Sequence, residues 1–459
     1  MYPLDKVSLN TEAAFGIEEL FISKTDKKGI IKFGNDVFTR ISGYTVDELI
    51  GSSHNIVRHP DMPKGLFKLL WETIKSGEPI AAYVKNLSKD GSYYWVFASV
   101  YPVADGYFSI RLKPTLSIRE EVARLYQEML EIEASNSVIN SCAHLNASIK
   151  KLGYNDYIEF MAVTFANELE SRRASLLANP IRAYFQPGKA LPSEIVHLYH
   201  TLELSLDNLY RNGSLIEKMK GMKNRVEDCL AKISNLSNKV ESVATNMSIS
   251  AHRIGRDGAT LAVVAHQLQS TLKTLNGLLG PFIANSKMIE SQTSHVLFGY
   301  CATQLQAEMI VQFLQEKMKA GTDKVMGTTA EIRMLLETLT NLFGSNIDRT
   351  ERFHIKVDET YRLALGLLNC TTKIDLIYSG GRLESSRTQE MSSIFKPHLD
   401  LLFELAGDFF APTSDISSYL KEMRDLSSIA LRAAVKTKFL LEESHNSLKY
   451  HMGETPKGA

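Results

Sequence analysis

The sequence predicts an α+β domain, an antiparallel five-stranded sheet with helices, followed by an all-α helical bundle or coiled-coil region. Short apolar and aromatic runs joined by Asp- and Gly-containing turns fill about the first 116 residues, as is typical of β-hairpins. From residue 117 onward, apolar residues recur every three or four positions, which indicates helices. We therefore divide the chain into a first domain (1–116), a helical connector (117–213) and a second helical region (214–459).

Five strands are predicted in the first domain, at 19–24, 30–33, 79–86, 93–103 and 107–112. The turns between hairpin partners contain Asp and Gly, which favour tight reversals. Helical pieces are predicted between the second and third strands, around 37–41, over 46–50 and from 63 to about 75. Thr45 is expected to N-cap the second piece, with Glu48 completing a capping box.

The segment 54–63 concentrates the chemically informative side chains of this domain. It holds His54, Arg58, His59, Asp61 and two prolines within ten residues. A guanidinium group can hold a phosphate or an anionic ring, and imidazoles can donate hydrogen bonds to ring or ribose oxygens. The alternative is that these side chains only satisfy the backbone of a loop whose shape the prolines fix.

The order of elements resembles the PAS fold, and the residues resemble one branch of it, the PAS domain of aerotaxis receptors. The resemblance covers nearly the whole first domain. The matching pieces are Asn35-Asp36-Val37-Phe38, Ser42-Gly43-Tyr44, His54 through Pro63, Trp71, Gly77-Glu78-Pro79, Val84-Lys85-Asn86, Asp90-Gly91, Tyr94-Trp95-Val96 and Ser109-Ile110-Arg111.

The resemblance implies a pocket that binds FAD non-covalently and reports oxygen or electron-transport status through the flavin's redox state. The flavin contacts that it implies are Asn35, His54, Arg58, His59, Asp61 and Trp71. Ile80 stands where the family usually has a tryptophan after Gly-Glu-Pro. Two alternatives stay open: a haem with His54 or His59 as axial ligand, and an empty PAS module used for dimerisation or as a scaffold.

The connector is predicted to be helical and to leave directly from the last strand. Helices are expected at 117–134 and over most of 135–171, with an interruption near Gly153. A cluster of prolines between 180 and 192 indicates a boundary or a helical corner. Ser193 is expected to cap a further helix to about 210, and Asn212-Gly213-Ser214 is expected to form a turn.

The segment 246–269 resembles the hairpin tip of bacterial chemoreceptor signalling domains. It follows a heptad-like helix that starts at Leu215. The tip positions in register are Asn246, Arg253, Gly255, Gly258 and Val263. The two glycines permit a tight reversal near 254–259.

This second resemblance implies a homodimer formed through the helices and a chemotaxis adaptor, histidine kinase or other receptor as partner. Three positions depart from that family: Ser250 replaces a glutamate, Leu261 a phenylalanine and Arg256 an acidic residue. The family's residues there are expected to contact those partners. Breaks at Gly277, Gly280-Pro281, Gly344, 379–381 and 411–412 predict a multi-helix bundle rather than one long rod.

Composition excludes several classes. Lys plus Arg and Asp plus Glu both number 52, which argues against nucleic-acid binding. The sequence shows no signal-peptide pattern and no long apolar run that would insert in a membrane, and its four cysteines are widely spaced, so a reducing, cytoplasmic location is expected. Because nucleotide-binding and hydrolase motifs are absent, we expect no enzyme. The expected function is a cytoplasmic redox or oxygen sensor and signal transducer.

Overall fold

The computed structural model describes residues 11–135, 137–178, 193–221, 223–320 and 329–451. It confirms the predicted fold class, an α+β domain with a five-stranded antiparallel sheet followed by a long helical region. The proline cluster at 180–192 and the tail after His451 lie outside the described residues.

The five strands of the N-terminal domain form one antiparallel sheet in the order β2-β1-β5-β4-β3. Strand β3 is therefore an edge strand, and β5 lies in the centre. The strands are β1 (Phe21–Asp26), β2 (Ile31–Gly34), β3 (Ile80–Leu87), β4 (Tyr93–Val103) and β5 (Gly106–Leu112). The predicted strands agree with these to within about two residues at each end, the usual uncertainty of such boundaries.

The helices between β2 and β3 begin and end where their capping residues place them. They are α1 (Asp36–Ser42), α2 (Val46–Leu49), a 3-10 turn (His54–Val57) and α3 (Lys64–Lys75). Gly43 ends α1 in the left-handed region, at φ 72°. The capping box at Thr45 and Glu48 is present: the Thr45 hydroxyl accepts from the Glu48 backbone N–H, and the Glu48 carboxylate accepts from the Thr45 N–H.

The remainder of the described chain is helical. Its helices are α4 (Ile118–Ser135), α5 (Val138–Lys151), α6 (Tyr157–Ala178), α7 (Ser193–Gly221), α8 (Lys223–Ile254), α9 (Ala259–Ala320), α10 (Thr329–Ser385) and α11 (Gln389–His451). The turn predicted at 212–214 is absent, because α7 runs through it. The breaks predicted at the glycines and prolines of 277–281, 344, 379–381 and 411–412 are also absent. One helical glycine costs only about 1 kcal/mol, and even a proline about 3 kcal/mol, which the apolar faces of helices this long offset.

The chain divides into two compact units. The first contains Met1–Gly213, Ser294–Asn346 and Lys436–Ala459, and the second contains Ser214–Thr293 and Ile347–Val435. In the first unit, one face of the sheet packs on α3 and the other on later helices. We call these the inner and the outer face.

Aromatic side chains carry the packing of the outer face. Phe97 of β4 lies 5.2 Å from Phe165 of α6, and Trp95 stacks on Tyr126 of α4 at 6.4 Å between ring centroids. The edge strand β3 is covered by the same helices, since the Tyr126 hydroxyl donates to the Tyr83 carbonyl oxygen at 2.9 Å. Covering an edge in this way removes it as a site for pairing with another strand.

The second unit is a four-helix bundle built from two hairpins. The first hairpin reverses at Gly255–Gly258, where Gly255 takes φ 76°, and Ser237 of α8 bonds Asn276 of α9 at 2.6 Å. In the second, Thr371 of α10 lies 3.3 Å from Thr413 of α11.

Contacts between the hairpins close this bundle within one chain. Ser250 of α8 lies 3.2 Å from the ring of His398 on α11, and the backbone of Gly366 on α10 lies against Leu278 of α9. Each helix thus packs on two antiparallel neighbours, in the up-down-up-down arrangement typical of four-helix bundles.

Two glycines test the continuity of α9 and the tight reversal that precedes it. A Cβ at Gly277 would meet no atom within 4 Å, so Gly277→Ala is expected to raise the free energy of unfolding by about 0.5–1 kcal/mol. A Cβ at Gly258 would lie 2.3 Å from the Ala251 carbonyl oxygen, so Gly258→Ala is expected to lower it by about 1–3 kcal/mol. Urea denaturation of the two variants measures both changes. Destabilisation by Gly277→Ala would contradict a continuous helix there.

Candidate functional site

A cavity lies between the inner face of the sheet and α3. Its empty volume is about 750 Å³, part of which is open to solvent. The wall from α3 is apolar, and the opposite wall carries polar side chains from β1, β3 and β5. The α3 residues are Phe67, Leu70, Trp71 and Ile74, and the polar residues of the strands are Ser23, Thr25, Asn86, Tyr107, Ser109 and Arg111.

Arg111 is the centre of a buried polar cluster at this wall. Its side chain is 5% exposed, and Nη2 lies 2.8 Å from Ser23 Oγ and 2.6 Å from His54 Nε2. Because a guanidinium group only donates, His54 Nε2 must accept, which places the imidazole proton on Nδ1. Burial lowers the pKa of Arg111 to about 10, so the group stays charged at neutral pH.

Two buried donors at this wall have no hydrogen-bond partner among the residues that the structure describes. They are Nη1 of Arg111 and the hydroxyl of Ser109, both of which line the cavity. Among the described lining residues there is no Asp or Glu, while two are arginines. Buried polar atoms usually have partners, so this wall is suited to a ligand whose edge accepts hydrogen bonds or carries negative charge.

Three of the six residues implied as flavin contacts line the cavity: His54, Arg58 and Trp71. The Arg58 guanidinium lies 4.3 Å over the ring of Phe67 and donates to the Met62 carbonyl oxygen at 2.8 Å. It therefore joins the 54–63 loop to α3 at the rim of the cavity.

The other three, Asn35, His59 and Asp61, do not line the cavity. The Asn35 amide oxygen accepts from the backbone N–H groups of Phe38 and Ile22, at 3.2 and 2.9 Å, so Asn35 fastens the start of α1 to β1. Asparagine is a favoured N-cap for this reason.

His59 and Asp61 hold the loop against the sheet. His59 is 4% exposed, and its Nδ1 accepts from the Asp61 backbone N–H at 3.1 Å, while Nε2 is buried without a partner. The Asp61 carboxylate pairs with Lys85 of β3 at 2.6 Å. Both residues thus shape the loop that carries His54 and Arg58.

Sequence reasoning did not single out Arg111, Ser109 or Asn86 as site residues. All three stand in motif pieces that carry the resemblance to aerotaxis receptors. A strand presents alternate residues on one face, so Tyr107, Ser109 and Arg111 must share a face of β5. The alternation along β5, together with the burial expected of a central strand, could have indicated that these three residues line a site. Ile80 is buried and packs beside Trp71 in the apolar cluster at the end of the cavity.

Comparison with known proteins now identifies the domain. Residues 31–107 match the family model described as PAS fold. The five-stranded N-terminal domain is a PAS domain. The match covers one part of the chain, and the resemblance predicted from the sequence is confirmed for this part.

Two curated relatives are similar to part of this chain. The chain is 44% identical to the aerotaxis receptor of Escherichia coli (strain K12) over 113 residues, which are 24% of this chain and 22% of that protein. It is 29% identical over 94 residues to the bacterioopsin transcriptional activator of Halobacterium salinarum, covering 20% and 14% of the two chains. The chain thus spans less than a quarter of the length of either relative.

A solved PAS domain from Colwellia psychrerythraea is 23% identical. The match covers 21% of this chain and 86% of the chain in the solved structure, with a TM-score of 0.19.

The hairpin of the second unit exposes only some of the residues assigned to the tip. Asn246, Arg253 and Gly255 face solvent, and Val263 is 56% exposed, whereas Gly258 is buried. Two of the three positions that depart from chemoreceptors face the bundle interior instead of a partner. Ser250 contacts His398, and Leu261 is fully buried. Arg256 faces solvent.

In the described part of the chain, no helix combines the length and apolar character needed to cross a membrane. The same residues contain no group of three His, Cys, Asp or Glu side chains placed to hold a metal ion. The four cysteines are free thiols, three of them buried.

The neutral form of His54 makes stability depend on pH. Burial, reinforced by the charge of Arg111, lowers the pKa of His54 from its ordinary 6.5 to about 3. As the pH falls below 6.5, the unfolded chain takes up this proton before the folded chain does, so stability is lost between about pH 6.5 and pH 3. The loss is at most about 1.4 kcal/mol per pH unit for one proton.

His54→Gln is expected to flatten this dependence, and His200→Gln, at an exposed position, is the matched control. Urea denaturation between pH 7 and pH 4 gives the slopes. Equal slopes for wild type and His54→Gln would show that His54 is not held neutral by the fold.

Proposed function

We propose that the PAS domain binds FAD and that the chain transmits the flavin's redox state, as a redox or oxygen sensor. The observation that carries the proposal is the pair of unpartnered buried donors, Arg111 Nη1 and Ser109 Oγ, at the polar wall of the cavity. The 44% identity to an aerotaxis receptor over 113 residues supports it. A bound flavin supplies reversible electron transfer, with a change of charge on its ring.

The residues present fit such a ligand. Arg111, Ser109 and Asn86 would hold its polar edge, while Trp71 and Phe67 supply the apolar wall. Arg58 at the rim would hold a phosphate or the ring. Because Arg111 stays charged and His54 stays neutral at neutral pH, the wall keeps a fixed positive charge that favours an anionic form of the ligand.

The two alternatives have less support from the contacts. Haem ligation by His54 would require Nε2 to leave Arg111 at 2.6 Å, and His59 does not line the cavity. An empty module that dimerises or serves as a scaffold through the sheet would need a free outer face, whereas α4 and α6 cover that face.

The colour of the purified full-length protein tests the proposal. A yellow preparation that releases FAD on heat denaturation, stoichiometric with the chain, is the expected result. If the protein is colourless and takes up neither added FAD nor added haem, the cofactor assignment is wrong.

We further propose that the helical region signals in the cytoplasm by protein contact and has no catalytic activity. The exposed tip residues Asn246, Arg253 and Val263 are the surface offered to a chemotaxis adaptor, kinase or receptor. A pull-down with the full chain and its Arg253→Glu/Val263→Glu variant tests this. Recovery of the same partners by both proteins would exclude the tip as the binding surface. Autophosphorylation of the pure protein would contradict the absence of catalytic activity.

A homodimer is also proposed, but its interface must differ from the bundle core. The core closes within one chain, so a second copy would pack on exposed apolar side chains. Phe403 and Phe410 lie one heptad apart on α11 and are 58% and 57% exposed. Light scattering is expected to show a dimer that Phe403→Gln/Phe410→Gln dissociates. A wild-type monomer at all concentrations would refute the dimer.

A further inference from the structure

The carboxylate of Glu168 ties α6 to the PAS domain. Glu168 is completely buried. Oε1 accepts from the Tyr83 hydroxyl at 2.7 Å and the Leu116 backbone N–H at 3.3 Å. Oε2 accepts from the backbone N–H and hydroxyl of Thr115, at 2.7 and 2.6 Å. One side chain therefore holds both the edge strand β3 and the segment through which the chain leaves the sheet.

Both attachments lead back to the cavity. Tyr83 directly precedes Val84, which lines the cavity from β3. Thr115 follows β5, whose Ser109 and Arg111 form the polar wall. Alternate side chains of a strand point to opposite faces, so a strand that moves at the inner face carries its outer-face groups with it. A change at the polar wall would therefore alter the positions of the donors to Glu168.

One helical turn further along α6, Arg172 makes the corresponding contacts to other elements. Arg172 is 1% exposed; Nη2 donates to the Glu18 carbonyl oxygen at 3.0 Å and Nε to the Glu308 carboxylate of α9 at 3.3 Å. Glu18 stands just before β1, so α6 holds the chain both where it enters and where it leaves the sheet. Glu308 also accepts from the Tyr210 hydroxyl of α7 at 2.5 Å.

We propose that Glu168 is the positioning residue through which the state of the cavity is transmitted from the PAS domain to α6, and through Arg172 and Glu308 to α7 and α9. A buried carboxylate bound by uncharged donors is stable only while those donors stay within hydrogen-bond distance. It therefore responds to a small displacement of Tyr83 or Thr115 by an exchange of partners. This inference rests on the proposed function, because a ligand change must supply the displacement.

Hydrogen exchange of the full-length protein, oxidised and then reduced with dithionite, tests the transmission. We expect reduction to change exchange in β5, at residues 115–116 and in α6. In Tyr83→Phe, which removes one donor, the change in β5 is expected to persist and the change in α6 to be at least halved. The control is Thr164→Val, since the Thr164 hydroxyl of α6 is buried without a partner, and it should behave like the wild type.

The proposal would be overturned if reduction changed the exchange of α6 in Tyr83→Phe as much as in the wild type. It would also be overturned if reduction of the wild type changed exchange in β5 but not in α6. A cavity-filling variant, Ala98→Leu, distinguishes a failure of FAD binding from a failure of the transmission through Glu168, because Ala98 lines the cavity. Without any flavin, Ala98→Leu is expected to alter exchange at 115–116 and in α6, and adding Tyr83→Phe should at least halve the α6 effect. An unchanged α6 in Ala98→Leu, despite altered exchange in β4, would overturn the transmission independently of the ligand.

Discussion

Arg111→Met is expected to weaken FAD binding by about 30- to 1,000-fold, the effect of losing a buried charge-assisted hydrogen bond worth some 2–4 kcal/mol. The methionine keeps most of the side chain's volume but removes the fixed positive charge and the unpartnered Nη1. It also leaves His54 Nε2 without its donor. Titration of the apoprotein with FAD, followed by quenching of flavin fluorescence, measures the change.

Arg40→Met is the matched control. Arg40 belongs to the same domain but is exposed and pairs with Glu19 away from the cavity. It is expected to change FAD affinity less than about twofold, since exposed ion pairs contribute little. Thermal unfolding of both apoproteins separates loss of binding from loss of folding. Wild-type affinity in a folded Arg111→Met would show that the polar wall is not part of the proposed flavin site.

The elements of the PAS domain were predictable because local rules dominate there. Alternating side chains, Asp-Gly turns and the Thr45–Glu48 capping box each act within a few residues, and the structure contains all of them. The cavity was only half predictable. The sequence predicted that the charged and histidine side chains of the 54–63 loop act together at one site. In the structure His54 and Arg58 line the cavity, whereas His59 and Asp61 hold the loop in place.

The helical region shows why local signals fail over longer distances. Gly277 and Pro281 interrupt the helix pattern in the sequence, but the stability of α9 comes from its packing along 62 residues. The burial of charged residues in α6 was hidden as well, because charged positions in a helix usually form a solvated face. Glu168 and Arg172 stand four residues apart, the spacing of an i,i+4 pair on a helix surface, but each bonds a different distant segment.

Arg172 gives the second large effect. Arg172→Ala is expected to lower the free energy of unfolding by about 3–5 kcal/mol, because it leaves the Glu308 carboxylate buried without its cation. The Glu18 carbonyl oxygen loses a donor as well. Arg211→Ala removes a cation from an exposed pair with Asp207 and is expected to cost less than about 1 kcal/mol. Urea denaturation of the two variants under the same conditions gives the comparison.

A double variant separates the buried charge from the shape of the side chain. In Arg172→Ala/Glu308→Gln neither charge remains while residue 172 is the same as in the single variant, and the new amide oxygen can still accept from the Tyr210 hydroxyl that bonds Glu308 at 2.5 Å. The double variant is therefore expected to be more stable than Arg172→Ala, by about 1–3 kcal/mol. If the two unfold alike, packing rather than charge accounts for the cost. If Arg172→Ala matches Arg211→Ala, α6 is not held by this ion pair, and the path from Glu168 to α9 is interrupted at Arg172.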